Sequence, residues 1–376
     1  MKVWKGRPTV AVIDRAALRW NLAEARKRVA GNATLLAVVK ADAYGHGAPE
    51  VARVLEKEGV RAFGVATVEE GVQIRDAGVI HPEVLVLGGF IADQVEEIFR
   101  HRLTPIILDI DMARILDQRV RGSTRTVPVH LKVDTGLGRL GVPWRDLPGF
   151  LAEMKKLDRL RIVGLCTHLE SAVRVTGPEI DRQMEAFLRA VELLAIHGSP
   201  VTVRHVSNSS ALMLRPDLHF EMVRPGIILY GAFPDGAAVG PLPLRPAMTL
   251  KTSILQLRRL PAGHGVSYNG TFVTRRESLI ATLPIGYADG YSRQLSNRAE
   301  ALVRGQRAPV VGSVCMDTAM LDVTDVPGVE RGDEVVLWGR QGEAEIRVDE
   351  VAAWAETISY EALTRVGRRV PRVYVN

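Results

Sequence analysis

The segment Ala37-Val-Val-Lys40-Ala-Asp-Ala-Tyr44-Gly-His-Gly47 puts a lysine at the end of an apolar run. A lysine in a partly desolvated pocket has a lowered pKa, and its neutral amine can add to a carbonyl to form a Schiff base. Gly45 and Gly47 allow the backbone to approach a ligand closely. The same lysine could instead snorkel at a strand end, and these residues alone do not choose. Arg224-Pro225-Gly226-Ile227 offers a guanidinium that keeps its proton up to a pKa of about 12 or more, so it can only donate. By itself that arginine reads as a surface residue at a strand end. Ser209, in Asn208-Ser209-Ser-Ala, reads equally well as a turn or helix N-cap residue. Tyr268 and His168 read alone as a packed strand residue and a hydrogen-bonded core histidine.

Gly136-Leu-Gly138-Arg139-Leu-Gly141 spells the dinucleotide pattern G-x-G-x-x-G. That motif should open a helix directly after its strand. Here Pro143 follows, the next helix is expected only near Pro148, and Asp158, at a suitable distance for a ribose partner, follows no new strand. A nicotinamide site is therefore not expected. Lys132, seven residues before Arg139, reads from its type as an ordinary lysine paired with a carboxylate.

The elements that must carry these residues show in the hydrophobic pattern. Apolar runs occur at Thr34–Lys40, Ala62–Thr67, Val84–Gly89, Leu103–Leu108, Val127–Asp134, Arg161–His168, Thr202–Ser209 and Met222–Tyr230. Their lack of strict alternation suits parallel strands buried on both faces. Amphipathic helices are expected between them, at Ala48–Glu58, Glu69–Ala77 and Pro178–His197, the last with proline near its start and Gly198 at its end. Eight strand–helix units in succession predict a (β/α)8 TIM-type barrel rather than an open doubly wound sheet. Lys40, His168 and Arg224 then fall at or near the C-terminal ends of strands, where barrel chemistry is built. After Gly240 the texture changes. Pro241, Pro243 and Pro246 lead into strand candidates at Met248–Leu260, Leu279–Leu283, Ala301–Val303, Pro309–Val314, Ala319–Val323, Glu334–Leu337 and Arg369–Val375, with one helix at Val348–Glu356. The expectation is an α/β chain of two domains: a barrel over residues 1–240 and a mostly-β domain over 241–376, with the first ten or so residues packing against the second.

Composition narrows the function classes. The formal net charge is +6, but the basic residues are scattered and aromatics make up only 5%, so no basic, aromatic-interleaved nucleic-acid surface is expected. No apolar run is long enough to cross a membrane, and the N-terminus has no signal-peptide core. The two distant cysteines, Cys166 and Cys315, suggest no disulfide framework. A cytoplasmic protein is expected.

In sequence order the motifs resemble those of bacterial alanine racemases: the lysine segment, His130-Leu-Lys132 through Arg139 to Gly141, Thr167-His168, Asn208-Ser209, Arg224 to Ile227, Val266-Ser-Tyr268, Gly286-Tyr287-Ala-Asp-Gly290, Cys315-Met316-Asp317 and Ile358-Ser-Tyr360. The resemblance spans nearly the whole chain. It implies a barrel plus a β domain, pyridoxal 5'-phosphate carried by Lys40, and interconversion of L- and D-alanine by two bases, Lys40 and Tyr268, supplying D-alanine for peptidoglycan. It further implies that Tyr44, Ser209 and Tyr360 with the amides of Gly226 and Ile227 hold the phosphate, with Asn208 beside them. Arg224 would meet the pyridine nitrogen, and His168 would link Tyr268 to Arg224. Arg139 would serve both cofactor and substrate, held by an N6-carboxylated Lys132. Met316 would bind the substrate carboxylate, Tyr287 and Tyr360 would narrow the entrance, and Asp317 and Cys315 would shape the site. A head-to-tail homodimer is implied, with Tyr268 and Met316 entering the partner's site. Leu137 stands where many relatives carry methionine, and Glu170-Ser171 is an uncommon pair. Both leave substrate breadth open, so a racemase of the same fold for serine or another amino acid is the alternative. A related decarboxylase would need a specific group for its carboxylate-leaving step, and this sequence shows no matching motif. A non-catalytic pyridoxal-phosphate carrier would resemble the barrel alone.

Overall fold

A computed structural model describes residues 6–122, 124, 126–171, 175–234 and 242–376. The junction expected at 240/241, with Pro241, and the N-terminal Met1–Lys5 lie outside the described residues. The strands, in chain order, are β1 (Val10–Asp14), β2 (Thr34–Val38), β3 (Ala62–Val65), β4 (Glu83–Val86), β5 (Thr104–Ile107), β6 (Val127–Asp134), β7 (Val142–Pro143), β8 (Leu160–Cys166), β9 (Val203–His205) and β10 (Met222–Val223). Each predicted barrel strand is represented, but the last, expected over Met222–Tyr230, is only Met222–Val223, and Ile227–Tyr230 instead forms a 3₁₀ turn. The barrel strands pair in parallel in the order β10-β2-β3-β4-β5-β6-β8-β9, with the short β7 beside β6. The two ends, β9 and β10, meet where the amide of Arg224 donates to Ser207 O at 2.9 Å. The chain thus forms a nearly closed eight-stranded parallel barrel. Its strands are apolar along their length because helices cover the outside while side chains fill the inside. Helices Ala48–Lys57, Val68–Asp76 and Pro178–Ile196 fall where the apolar periodicity puts them, within a residue of the expected ends.

The C-terminal half is mostly strand: β11 (Met248–Ser253), β12 (Gln256–Leu260), β13 (Gly265–Val266), β14 (Phe272–Val273), β15 (Ser278–Leu283), β16 (Glu300–Val303), β17 (Gln306–Pro309), β18 (Ala319–Asp322), β19 (Glu334–Gln341), β20 (Ala344–Ile346) and β21 (Arg372–Val375). One sheet runs β17-β16-β19-β11-β1-β21, a second β12-β15-β18. The stretch expected as one strand over 248–260 is two, because β11 pairs with β19 while β12 crosses to β15 in the other sheet. The strand expected at Pro309–Val314 ends at Pro309, opposite Glu300, and Val310 keeps only an isolated bridge to Leu321.

Strand β1 belongs to the C-terminal sheet. It lies antiparallel to β11 and parallel to β21. Upstream of it, Thr9 Oγ1 donates to Pro284 O at 2.7 Å, and both Arg7 Nη atoms donate to the carboxylate of Asp289 at 2.6 Å. The N-terminal segment therefore ties to the C-terminal half before the chain enters the barrel through helix Arg15–Arg28, which Asp14 caps.

Candidate active site

Lys40 follows β2 by two residues. It opens a turn in which Ala41, Asp42, Ala43 and Tyr44 all have φ between 52° and 54°. L-residues avoid this left-handed conformation, at a cost of roughly 1–2 kcal/mol each. The surroundings fix it nonetheless. The Glu70 carboxylate accepts from the amides of Ala41 and Ala66, at 2.6 and 2.7 Å. The Asp42 carboxylate accepts from Ala48 N at 2.7 Å. His46 Nδ1 donates to Ala43 O and Tyr44 O, at 3.0 and 2.9 Å. Arg372 Nε and the Tyr374 hydroxyl, both on β21, donate to Gly45 O and His46 O. Strain held by this many contacts is characteristic of functional sites, and here it aims Lys40 into the barrel mouth.

The turn opens onto a cavity of about 560 Å³ at the C-terminal end of the strands. Eleven of the predicted site residues line it: Lys40, Tyr44, Lys132, Arg139, His168, Asn208, Ser209, Arg224, Gly226, Ile227 and Tyr360. Four lining side chains are cationic and none is a carboxylate. Lys132 lies on β6, whereas Arg139 stands in the loop beyond it, where Gly136, Gly138 and Gly141 all take positive φ. No helix opens at that glycine-rich loop, so the dinucleotide reading fails on geometry. Burial, then the charge of Arg139, lowers the pKa of Lys40. Burial also lowers Lys132, with Arg224, Arg139 and Lys40 adding to it against the opposing Cys166.

Arg224 is held from behind. Its Nη1 donates to His205 Nδ1 at 3.1 Å and His205 O at 2.5 Å. Its Nη2 donates to Thr167 O and Val206 O at 2.9 and 3.2 Å, with His168 Nδ1 at 3.5 Å. The barrel thus engages both terminal nitrogens, and the Nε–H has no partner among the described residues. Burial first, then the charge of Arg224, brings His168 down to about 3 and keeps it neutral.

At the far end Ser209 Oγ accepts from Gly226 N at 2.9 Å, and Ser209 opens helix Ser209–Leu214, capped by Asn208. The Tyr44 hydroxyl lies so close to Gly226 that a Cβ there would overlap it. Hydroxyls, an amide and a helix N-terminus converge on one spot beside a cluster of cations, a donor set that fits a phosphorylated anion.

Tyr268, Tyr287 and Met316 do not line this cavity. They stand on the C-terminal half, exposed by 68%, 44% and 52%. Sequence reasoning missed Glu70, whose Thr67-x-x-Glu70 capping box was there to be read. It also missed the His130–His205 pair, the helix Ser359–Thr364 under Tyr360, and the β21 clamp.

Comparison with known proteins places the chain in a family. Residues 13–234 match the model of the alanine racemase N-terminal domain, and residues 247–374 that of the C-terminal domain. The alanine racemase of Geobacter sulfurreducens is 44% identical over 375 residues, covering 98% of each chain. That of Citrifermentans bemidjiense is 45% identical over 376 residues, covering 98% of this chain and 99% of its own. Among solved structures, the Bacillus anthracis alanine racemase with bound L-Ala-P superposes with a TM-score of 0.92 at 32% identity, covering 100% of this chain and 96% of its own. The Bartonella henselae alanine racemase with covalently bound pyridoxal phosphate gives 0.89 at 31%, covering 98% and 100%. With both domains matched and the relatives aligned end to end, the chain belongs to the alanine racemase family of isomerases.

Proposed function

We propose that this chain interconverts L- and D-alanine with pyridoxal 5'-phosphate held on Lys40, and that Lys40 and Tyr268 are its two bases. The observation that carries the reading is Lys40 on a left-handed turn, facing a cationic cavity that ends in a hydroxyl-and-amide cradle. Tyr44, Ser209 and Tyr360, with the amides of Gly226 and Ile227, would hold the phosphate, Asn208 supporting Ser209. The bound cofactor supplies an electron sink that acidifies the substrate Cα–H. The protein's own groups do the rest. Arg224, which cannot release its proton near neutrality, would meet the ring nitrogen as a donor only and so would leave it unprotonated. Arg139 orients the substrate carboxylate, and an N6-carboxylated Lys132 turns a neighbouring cation into an anion that steadies Arg139. A ¹³C signal retained on Lys132 after incubation with labelled bicarbonate would test that modification.

Racemisation needs a proton held on each face of Cα. The Lys40 amine, its basicity lowered by burial, serves one face. Tyr268, exposed in the single chain, serves the other in the site of a second copy, beside Met316 and with Tyr287 at the entrance. His168, close to Arg224, would steady the tyrosinate. We read the chain accordingly as a barrel unit over 1–240, its first residues through β1 packed with the other half, and a β unit over 241–376 that acts in trans in a homodimer. We infer a cytoplasmic enzyme whose D-alanine serves peptidoglycan. The test is incubation of the cofactor-loaded protein with L-alanine, L-serine and L-lysine in turn, followed by chiral analysis. D-alanine should dominate, and faster racemisation of another amino acid would displace the reading.

A further inference from the structure

We propose that His130, seated in a space opened by Gly164, is a positioning residue that fixes the ring of His205 and through it the guanidinium of Arg224. This rests on the assignment of Arg224 to the cofactor ring. His130 Nδ1 and His205 Nε2 are 2.8 Å apart, both side chains buried, and His205 Nδ1 is 3.1 Å from Arg224 Nη1. The chemistry leaves one arrangement of protons. A guanidinium has donors only, so His205 Nδ1 must accept. A neutral His205 then carries its proton on Nε2 and donates it to His130 Nδ1. His130 in turn carries its own proton on Nε2. A proton added to His205 Nδ1 would face a cation that has nothing to accept with.

The groups facing His205 agree with a neutral ring. They are Arg224 following β10, His130 and Lys132 on β6, and Cys166, its register partner on β8. Burial is the first cause that draws both histidines down, His130 to about 4.

Gly164 gives an independent sign that His130 is built in. It is the register partner of His130 across β6 and β8, beside a ladder irregularity between Val129 and His130. A Cβ at Gly164 would overlap the His130 ring at Nδ1, the very atom that meets His205. Glycine within a strand weakens it and often marks a close approach. Here the approach is by an imidazole.

The experiment uses full-length protein with ¹⁵N-labelled histidine and reads each ring by two-bond ¹H–¹⁵N correlation, with and without pyridoxal phosphate. For wild type, His205 should show a protonated Nε2 and a bare Nδ1. His130→Phe removes the acceptor, and Gly164→Ala displaces it without changing it. Both should shift the His205 ring signals and lower kcat on the order of ten- to a hundredfold, with KM for alanine held. His130→Asn, which keeps an acceptor, should restore the His205 signals and most of kcat. A wild-type His205 protonated at Nδ1 would overturn the proposal, as would variants that leave ring signals and kcat at wild-type values. The ring signals need no turnover, so a chain that failed to racemise alanine would sink the proposed function while these signals still judged the His130 line.

Discussion

At Lys40 two demands meet: the amine must be neutral often enough to react, and it must be held still. Burial and Arg139 meet the first. Lys40→Ala should abolish the visible absorbance retained after pyridoxal phosphate is added and excess removed, and should cost racemisation about a thousandfold or more. A variant still coloured after dialysis would refute the assignment. Tyr268→Phe should slow turnover about 10²- to 10⁴-fold, the usual loss of a general acid–base group. The equilibrium constant forces both net directions to slow together, so the sharper readout is solvent-deuterium exchange at Cα. Exchange from L-alanine should fall more than exchange from D-alanine. The buried histidines make a separate prediction. Burial first brings His46 and His130 to about 4 and His168 to about 3. In the unfolded chain they would titrate near 6.5, so between these values the unfolded state binds more protons. Their stabilisation is thus complete above about pH 6.5 and is lost as pH falls toward 4. Urea midpoints should drop over that window with measurable proton uptake. A flat profile would show that these rings are not buried neutral.

Among the elements, the left-handed turn after Lys40 matters most for the site. Gly45 closes it with φ +81°, and a Cβ there would overlap Leu363 O. Gly45→Ala should therefore destabilise the protein by more than about 1 kcal/mol and weaken cofactor retention, seen in thermal unfolding and equilibrium dialysis. The sequence does not advertise such a turn. Alanine is the best right-handed helix former, and Ala41-Asp42-Ala43 turns the other way because Glu70, His46 and β21 hold its backbone. The barrel was far more legible. Strands buried on both faces read as apolar runs, and helices with caps and one apolar face read from their spacing. Where the reading broke, a distant partner had decided. Met248–Leu260 looks continuous, yet Ile254 and Leu255 carry the chain from the sheet of β19 to that of β15. The expectation that the first ten or so residues pack with the second half stops just short of β1, whose Val10–Asp14 pair with strands coded more than two hundred positions later. Of the site, the motif residues were legible through their order along the chain and the family it resembles, since taken singly Arg224, Ser209, Tyr268 and His168 each read as an ordinary surface, capping, packed or core residue. The shell behind them was not, since His205 and His130 look like any buried histidines until Arg224 is placed beside them.

For the whole molecule, the mismatch between a complete cavity and three absent side chains leads to an assembly prediction. Tyr268, Met316 and Tyr287 are exposed on one half while the cavity opens on the other. Lys40→Ala and Tyr268→Ala chains, each inactive alone, should regain activity when mixed and refolded, because a hybrid pair has one site with both bases. Sedimentation should find active material only as dimers, and a fully active monomer would defeat the shared-site reading. Within one chain the halves are already interlocked. Arg372 donates to the carbonyls of Gly45, Gly367, Val370 and Val366, and Tyr374 reaches His46 O, 328 positions back. Domains emerge from the ribosome N-terminal part first. A nascent barrel therefore has its Lys40 turn held by Glu70, Asp42 and His46 alone until residues 372–374 have been made and have docked, and a translation product cut short before them would carry the amine on a turn that lacks the β21 clamp.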